Sequence, residues 1–183
     1  MRSLIDLYKQ NDGYNRYGQD KFGHHYAELY DEIFRPLQDL PLNIFEIGFF
    51  TGGSCRLWLD YFVNAKIKCI DINEKANSKG SKWYIEDPRL ELEIKDSNTI
   101  DEDYVKALDV DIFIDDGSHL LEDQLHIVKT VYPVLKEGAL LIIEDVQNIE
   151  KVRGEFEKLG YPFSVADMRF GPATDSVLII YKK

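Results

Sequence analysis

The stretch FEIGFFTGGSCRLW, residues 45–58, decides the fold. An apolar run carrying one acid, Glu46, enters Gly48. Gly52, Gly53 and Ser54 follow, and a helical pattern then opens with Leu57, Trp58 and Tyr61 on one face. A strand that ends in glycines and turns directly into a helix is the opening unit of an open parallel sheet, where ligands sit beyond the carboxyl ends of the strands. Glycines at that turn let the backbone bend sharply and approach a bound group. The spacing is G-x-x-x-G-G with Phe at position 50, not the G-x-G-x-x-G of dinucleotide enzymes.

Outward from this turn the chain repeats the same rhythm. Short apolar runs stand at 43–48, 67–72, 90–96, 111–116 and 139–145. Continuous runs of this kind suit strands buried on both faces of a parallel sheet. Helical patterns at 53–62, 102–109 and 121–135 lie between them, and strand–helix alternation predicts a doubly wound sheet. The rhythm breaks after a helix at 149–159. FSVADMRF (163–170) and SVLIIYK (176–182) are joined by GPATD, too short for a crossover, so an antiparallel hairpin is expected. The predicted fold is α/β, doubly wound and Rossmann-like: five parallel strands plus a C-terminal antiparallel hairpin, in one domain over residues 1–183. Upstream, residues 25–37 carry the spacing of an amphipathic helix. Residues 1–24, rich in Tyr, Asn, Gly and Asp, predict a loop or lid.

Bulk properties narrow the function. The net charge is −11, and no basic block offsets it, which argues against a nucleic-acid backbone binder. No apolar run approaches the ~20 residues of a membrane span, and MRSLIDLYKQ does not read as a signal peptide. Cys55 and Cys69 form neither a disulfide framework nor a metal spacing. They predict core thiols in a reduced, cytoplasmic setting.

Every predicted parallel strand carries acid at or near its carboxyl end: Glu46, Asp71, Asp96, then Asp115 and Asp116, then Glu144 and Asp145. Asp71 follows Gly53 by 18 residues, the separation at which an acid on the second strand can bind ribose hydroxyls. Glu46 suits a cationic amino-acid group better than a pyrophosphate. S-adenosylmethionine has an ammonium, a sulfonium and a ribose, and no phosphate.

The succession E-I-G-x-x-x-G-G-S, IDI, IDDGSH and IIED resembles the class I S-adenosylmethionine methyltransferases. More narrowly it resembles the metal-dependent macrocin and mycinamicin sugar O-methyltransferases and the related cephalosporin hydroxylase-type proteins, from about Asp20 onward, with DKFGHHY (20–26) similar to the family's lead into its first helix. The general methyltransferase loop has a central glycine where Phe50 stands; the narrower group shares the form seen here. The resemblance implies that Glu46, Gly48 and Ser54, with Gly52 and Gly53 shaping the turn, hold the methionine end of the cofactor. Asp71 would bind ribose, Asp96 and Ser97 would lie near adenine, and Asp116, Glu144 and Asp145 would bind a divalent metal, most simply Mg²⁺. His119 would be the general base.

The chemistry of these residue types supports that assignment. Adjacent strands lie ~4.8 Å apart, so acids from neighbouring tips can converge on one ion. Three carboxylates are a hard oxygen set that suits Mg²⁺, Mn²⁺ or Ca²⁺ over zinc. Side chains alternate along a strand, so Asp115 and Asp116 should face opposite ways; Asp116 is assigned to the metal, and Asp115 is left either to support the ligands from behind or to face the cofactor. An imidazole three residues past Asp116 has a pKa suited to a base, although a metal ligand or a helix-cap contact is also open to it. His24 and His25 are expected at the lid or helix start. Trp83 and Tyr84 are placed to border an adenine if they do more than pack. The expected activity is metal-dependent O-methylation of a sugar or other hydroxylated small molecule. A hydroxylase-like relative of the same fold and a nicotinamide-dependent oxidoreductase are the alternatives, and self-association is left open.

Overall fold

The computed structural model of the chain describes residues 2–10, 20–79, 84–169 and 176–183. Among these residues five strands run parallel: β1 (Asn43–Ile47), β2 (Lys66–Asp71), β3 (Leu90–Ile94), β4 (Ile112–Asp115) and β5 (Leu140–Ile143). β6 (Ser164–Asp167) and β7 (Val177–Lys182) pair antiparallel to each other, and β7 adds antiparallel to β5. The sheet order is β3-β2-β1-β4-β5-β7-β6. The chain therefore runs outward from β1 to β3 and returns on the other side through β4. This reversal puts the switch point between β1 and β4.

Seven α-helical segments accompany the sheet among the described residues: α1 (Leu4–Gln10), α2 (Asp20–Gly23), α3 (Tyr26–Phe34), α4 (Gly53–Tyr61), α5 (Glu102–Leu108), α6 (Leu121–Val131) and α7 (Ile149–Glu157). Two apolar layers result from the alternation of side chains along the strands. Ile44, Ile112 and Ile142 face a layer with Tyr30, Phe34 and Trp58 of α3 and α4. Phe45, Phe113 and Leu141 face the other, with Val128 of α6 and Phe156 of α7. Both cysteines are buried free thiols, as the sequence predicts.

Two expectations need revision. β3 is not buried on both faces; LELEI is an edge strand that alternates toward solvent. Residues 1–24 are not simply a loop: α1 docks on α3 and α4, with Leu4 and Leu7 fully buried. The apolar spacing of LIDLYKQ is short and was outweighed by the turn-rich composition after it. Residues 11–19, Trp83 and the GPATD connection lie outside the described residues. Among the described residues no helix is long and apolar enough to cross a membrane.

Candidate active site

At the switch point β1 and β4 come into close contact just past their carboxyl ends. Gly48 has φ 97°, and a Cβ there would stand 2.1 Å from the backbone oxygen of Asp116. Only glycine meets both conditions. The turn that follows is tied down by Asp71. Its Oδ2 accepts from the backbone N–H groups of Phe49 (2.8 Å) and Phe50 (2.9 Å), and its Oδ1 from Asn73 (2.7 Å). The expected ribose acid thus also organises the glycine turn. Gly48, Asp71, Asp96 and Ser97 line one cavity of about 300 Å³, together with Gly117 and Asp123.

Glu46, Gly52 and Gly53 are buried and do not line that cavity. Glu46 is fully buried: Cys55 Sγ contacts its Oε2 at 3.5 Å, while its Oε1 has no hydrogen-bond partner. Burial pushes the Glu46 carboxyl up to about 7 against the opposing pull of Lys21 and the hydroxyl of Ser54. Asp115 is also buried and also pushed up to about 7 by burial, with the Gly117 backbone N–H working against the shift. It does not line the cavity either.

The remaining acids gather beside the cavity. Lys21, on α2, is 3 % exposed. Its Nζ lies 2.6 Å from Asp116 Oδ2, 2.5 Å from Glu144 Oε2 and 3.7 Å from Glu46 Oε1. Two tyrosines of α3, one helical turn apart, reach the tip of β5: Tyr30 donates to Glu144 Oε1 and Tyr26 to Asp145 Oδ1 at 2.6 Å. His24 Nδ1 also lies 2.8 Å from Asp145 Oδ1. His119 Nε2 stands 3.2 Å from Asp116 Oδ1 and 3.7 Å from Asp145 Oδ2. One ligand atom from each of Asp116, His119 and Asp145 falls within 4.8 Å of the others. Of the three predicted metal acids, Asp116 and Asp145 meet at His119, while Glu144 meets Asp116 across the Lys21 ammonium.

The electrostatics separate these groups. Burial acts to raise the Asp116 carboxyl, but Lys21 and His119 outweigh it and hold the group below the usual carboxylate range. Burial, with Asp116 adding to it, pushes Glu144 well up despite Lys21 and Tyr30. The hydrogen bond to Asp116 raises the His119 imidazole above its ordinary value. Burial raises the Tyr26 and Tyr30 phenols, which therefore stay protonated donors.

Backbone conformation concentrates here as well. His25, Phe50, His119 and Asp145, none a glycine, have φ of 62°, 47°, 59° and 52°. His25 is the N-cap of α3, while His24 turns into the site. Lys21, Tyr26 and Tyr30 were not legible as site residues. Their spacing reads as an ordinary amphipathic helix and its lead-in; the one available signal was tyrosine in place of phenylalanine on a buried face, where a hydroxyl needs a partner.

Residues 45–146 match a family model described as a methyltransferase domain. The 8-demethyl-8-alpha-L-rhamnosyl tetracenomycin-C 2'-O-methyltransferase of Streptomyces olivaceus is 32% identical over 143 residues, 72% of this chain and 36% of that protein. The demethylmacrocin O-methyltransferase of Streptomyces fradiae is 29% identical over 148 residues, 74% of this chain and 36% of that protein. The chain spans little more than a third of the length of these curated relatives. Among solved structures, a MycE methyltransferase from the mycinamycin biosynthetic pathway, in complex with Mg, SAH and mycinamycin VI, superimposes with a TM-score of 0.72. It is 18% identical, and the match covers 99% of this chain and 54% of that one.

Proposed function

This chain belongs to the methyltransferase-domain family, and we propose that it moves the methyl group of S-adenosylmethionine to a hydroxyl of a sugar or other hydroxylated small molecule, with the help of a divalent metal. One observation supports this reading: Asp116 and Asp145 meet at His119, Glu144 meets Asp116 across Lys21, and Asp116 and His119 flank the cavity residues Gly117 and Ser118 in the chain. The curated relatives named above are O-methyltransferases, one of them of a rhamnosyl tetracenomycin, which supports the acceptor class. The net charge of −11 fits a small neutral acceptor rather than a nucleic acid, and a cytoplasmic setting goes with the reduced thiols.

The residues fit both groups. Glu46, Gly48 and Ser54 would hold the amino-acid end of the cofactor, with Gly52 and Gly53 shaping the turn. The Oε1 of Glu46 is buried and makes no hydrogen bond, with the Lys21 ammonium 3.7 Å away, so it keeps acceptor capacity for a further donor such as the cofactor's amino group. Asp71 has three backbone donors and room for a further one, which suits a ribose hydroxyl. Asp96 and Ser97 would border the adenine, and Asp115 would keep the neighbouring Gly117 turn in place. The oxygen-rich set of Asp116, Glu144 and Asp145 suits Mg²⁺. When bound, the cofactor supplies an electrophilic methyl group and the ion lowers the pKa of an acceptor hydroxyl. His119 accepts the hydroxyl proton on its imidazole, while Tyr26 and Tyr30 keep Asp145 and Glu144 oriented. In a second reading, favoured by the mutual approach of Asp116, His119 and Asp145, the imidazole is itself a ligand.

Calorimetry with S-adenosylmethionine and NAD⁺ in parallel, with and without Mg²⁺, tests the assignment. Binding of S-adenosylmethionine alone is expected, largely unaffected by EDTA. Methyl transfer from labelled cofactor to a panel of glycosylated acceptors should vanish in EDTA and return with Mg²⁺. Preference for NAD⁺, or full transfer in chelator, would sink the proposal.

A further inference from the structure

We infer that Lys21 is a tethered cation that holds the Asp116–Glu144 carboxylate pair in the metal-free protein, and that a divalent ion must displace it, so that metal loading releases α2. The inference rests on the metal-dependent reading above. It starts from the position of one ammonium: within 2.6 Å of Asp116 and 2.5 Å of Glu144, 3.7 Å from Oε1 of Glu46, and screened from water. Three acids at one point, two of them buried and the third nearly so, repel one another unless a cation sits among them. Lys21 supplies that charge from within the chain.

Asp116 cannot serve both occupants at full strength. Its Oδ2 contacts Lys21 while its Oδ1 faces His119, and an ion taking Asp116 and Glu144 would enter the space the ammonium fills. Two cations held on one carboxylate in a site shielded from water repel strongly. The way out leads through α2. Lys21 shares that single turn with Phe22, whose ring packs 3.9 Å from that of Tyr8 on α1. His24 then contacts Asp145, another of the predicted ligands. The segment 20–25 thus touches both strand tips that would hold the ion. Withdrawal of Lys21 would loosen the segment that joins α1 to the site.

Two measurements with Mn²⁺ as the probe test this. If the ion must first displace Lys21, its apparent affinity is lowered by the small fraction of molecules with the site vacated. Lys21→Met should therefore bind Mn²⁺ about tenfold more tightly or better by calorimetry. The metal-free variant should melt lower than wild type and gain more from added Mn²⁺. In the wild type, amide hydrogen exchange across residues 20–25 should speed up when Mn²⁺ is added; this second measurement stands even if the variant does not fold. Equal or weaker Mn²⁺ binding by Lys21→Met overturns the inference and leaves the metal site standing. Tighter binding without faster exchange in the wild type also overturns it, because the ion and Lys21 then coexist, with the ion at Asp116, His119 and Asp145. No Mn²⁺ binding by either protein removes the metal reading and this inference together.

Discussion

His119 sits between two carboxylates, and its environment sets what it can do. In the metal-free chain, hydrogen bonding to Asp116 raises its pKa. A base must be neutral to act. The rate is therefore expected to rise with pH through an apparent pKa that belongs to this ring. His119→Ala should lose that rise, lower kcat by roughly 10²–10⁴-fold, and recover in part at high pH. Retained Mn²⁺ affinity in the variant would mark a base, and lost affinity a ligand; normal turnover with normal metal binding ends both roles. The acids around His119 were legible because carboxylates at successive strand tips stand out from the apolar runs before them. Lys21 was not. It lies 95 residues from Asp116 and 123 from Glu144, and nothing local in the sequence marks an ion pair closed only by the folded chain.

Among elements, the β1 turn and the β4 tip meet closely at Gly48 and Asp116. Gly48→Ala would add a Cβ 2.1 Å from a backbone oxygen at a residue with φ 97°. Gly138→Ala is the matched control, since its φ is 83° and nothing lies within 4 Å of the added atom. The control should cost about 1–2 kcal/mol, the penalty of left-handed backbone alone. Gly48→Ala should cost at least about 1–3 kcal/mol more, because a strand tip must move, and should weaken cofactor binding as well. Equal losses in denaturant titrations would show that the close approach does not matter. Strand positions were readable from apolar runs, and the reversed C-terminal edge from a connection too short to cross over. α1 was missed because its stability comes from Leu4 and Leu7 packing against α3 and α4, a tertiary contribution that a seven-residue window does not display.

At the scale of the whole molecule, the site works against the fold. Asp115 and Glu46 are pushed up to about 7 by burial, whereas an unfolded carboxyl titrates near ~4. Between those values the folded chain binds protons the unfolded chain has released, so these groups lower stability as pH rises from about 4 to about 7. Asp116, held low, acts in the opposite sense, so total stability alone does not isolate them. The Asp115→Asn variant does. In chelator, wild type should lose up to a few kcal/mol relative to the variant across that window. Parallel pH profiles would show that Asp115 titrates normally. The left-handed backbone at His25, Phe50, His119 and Asp145 adds to the same burden, roughly 1–2 kcal/mol at each non-glycine residue. An engineer evolving this chain for heat resistance alone would find early gains by placing glycine or asparagine at Phe50 and His119, whose side chains reach solvent, but not at Asp145, which the buried Tyr26 hydroxyl needs. A screen scored only by melting temperature would breed sturdier descendants that no longer carry His119.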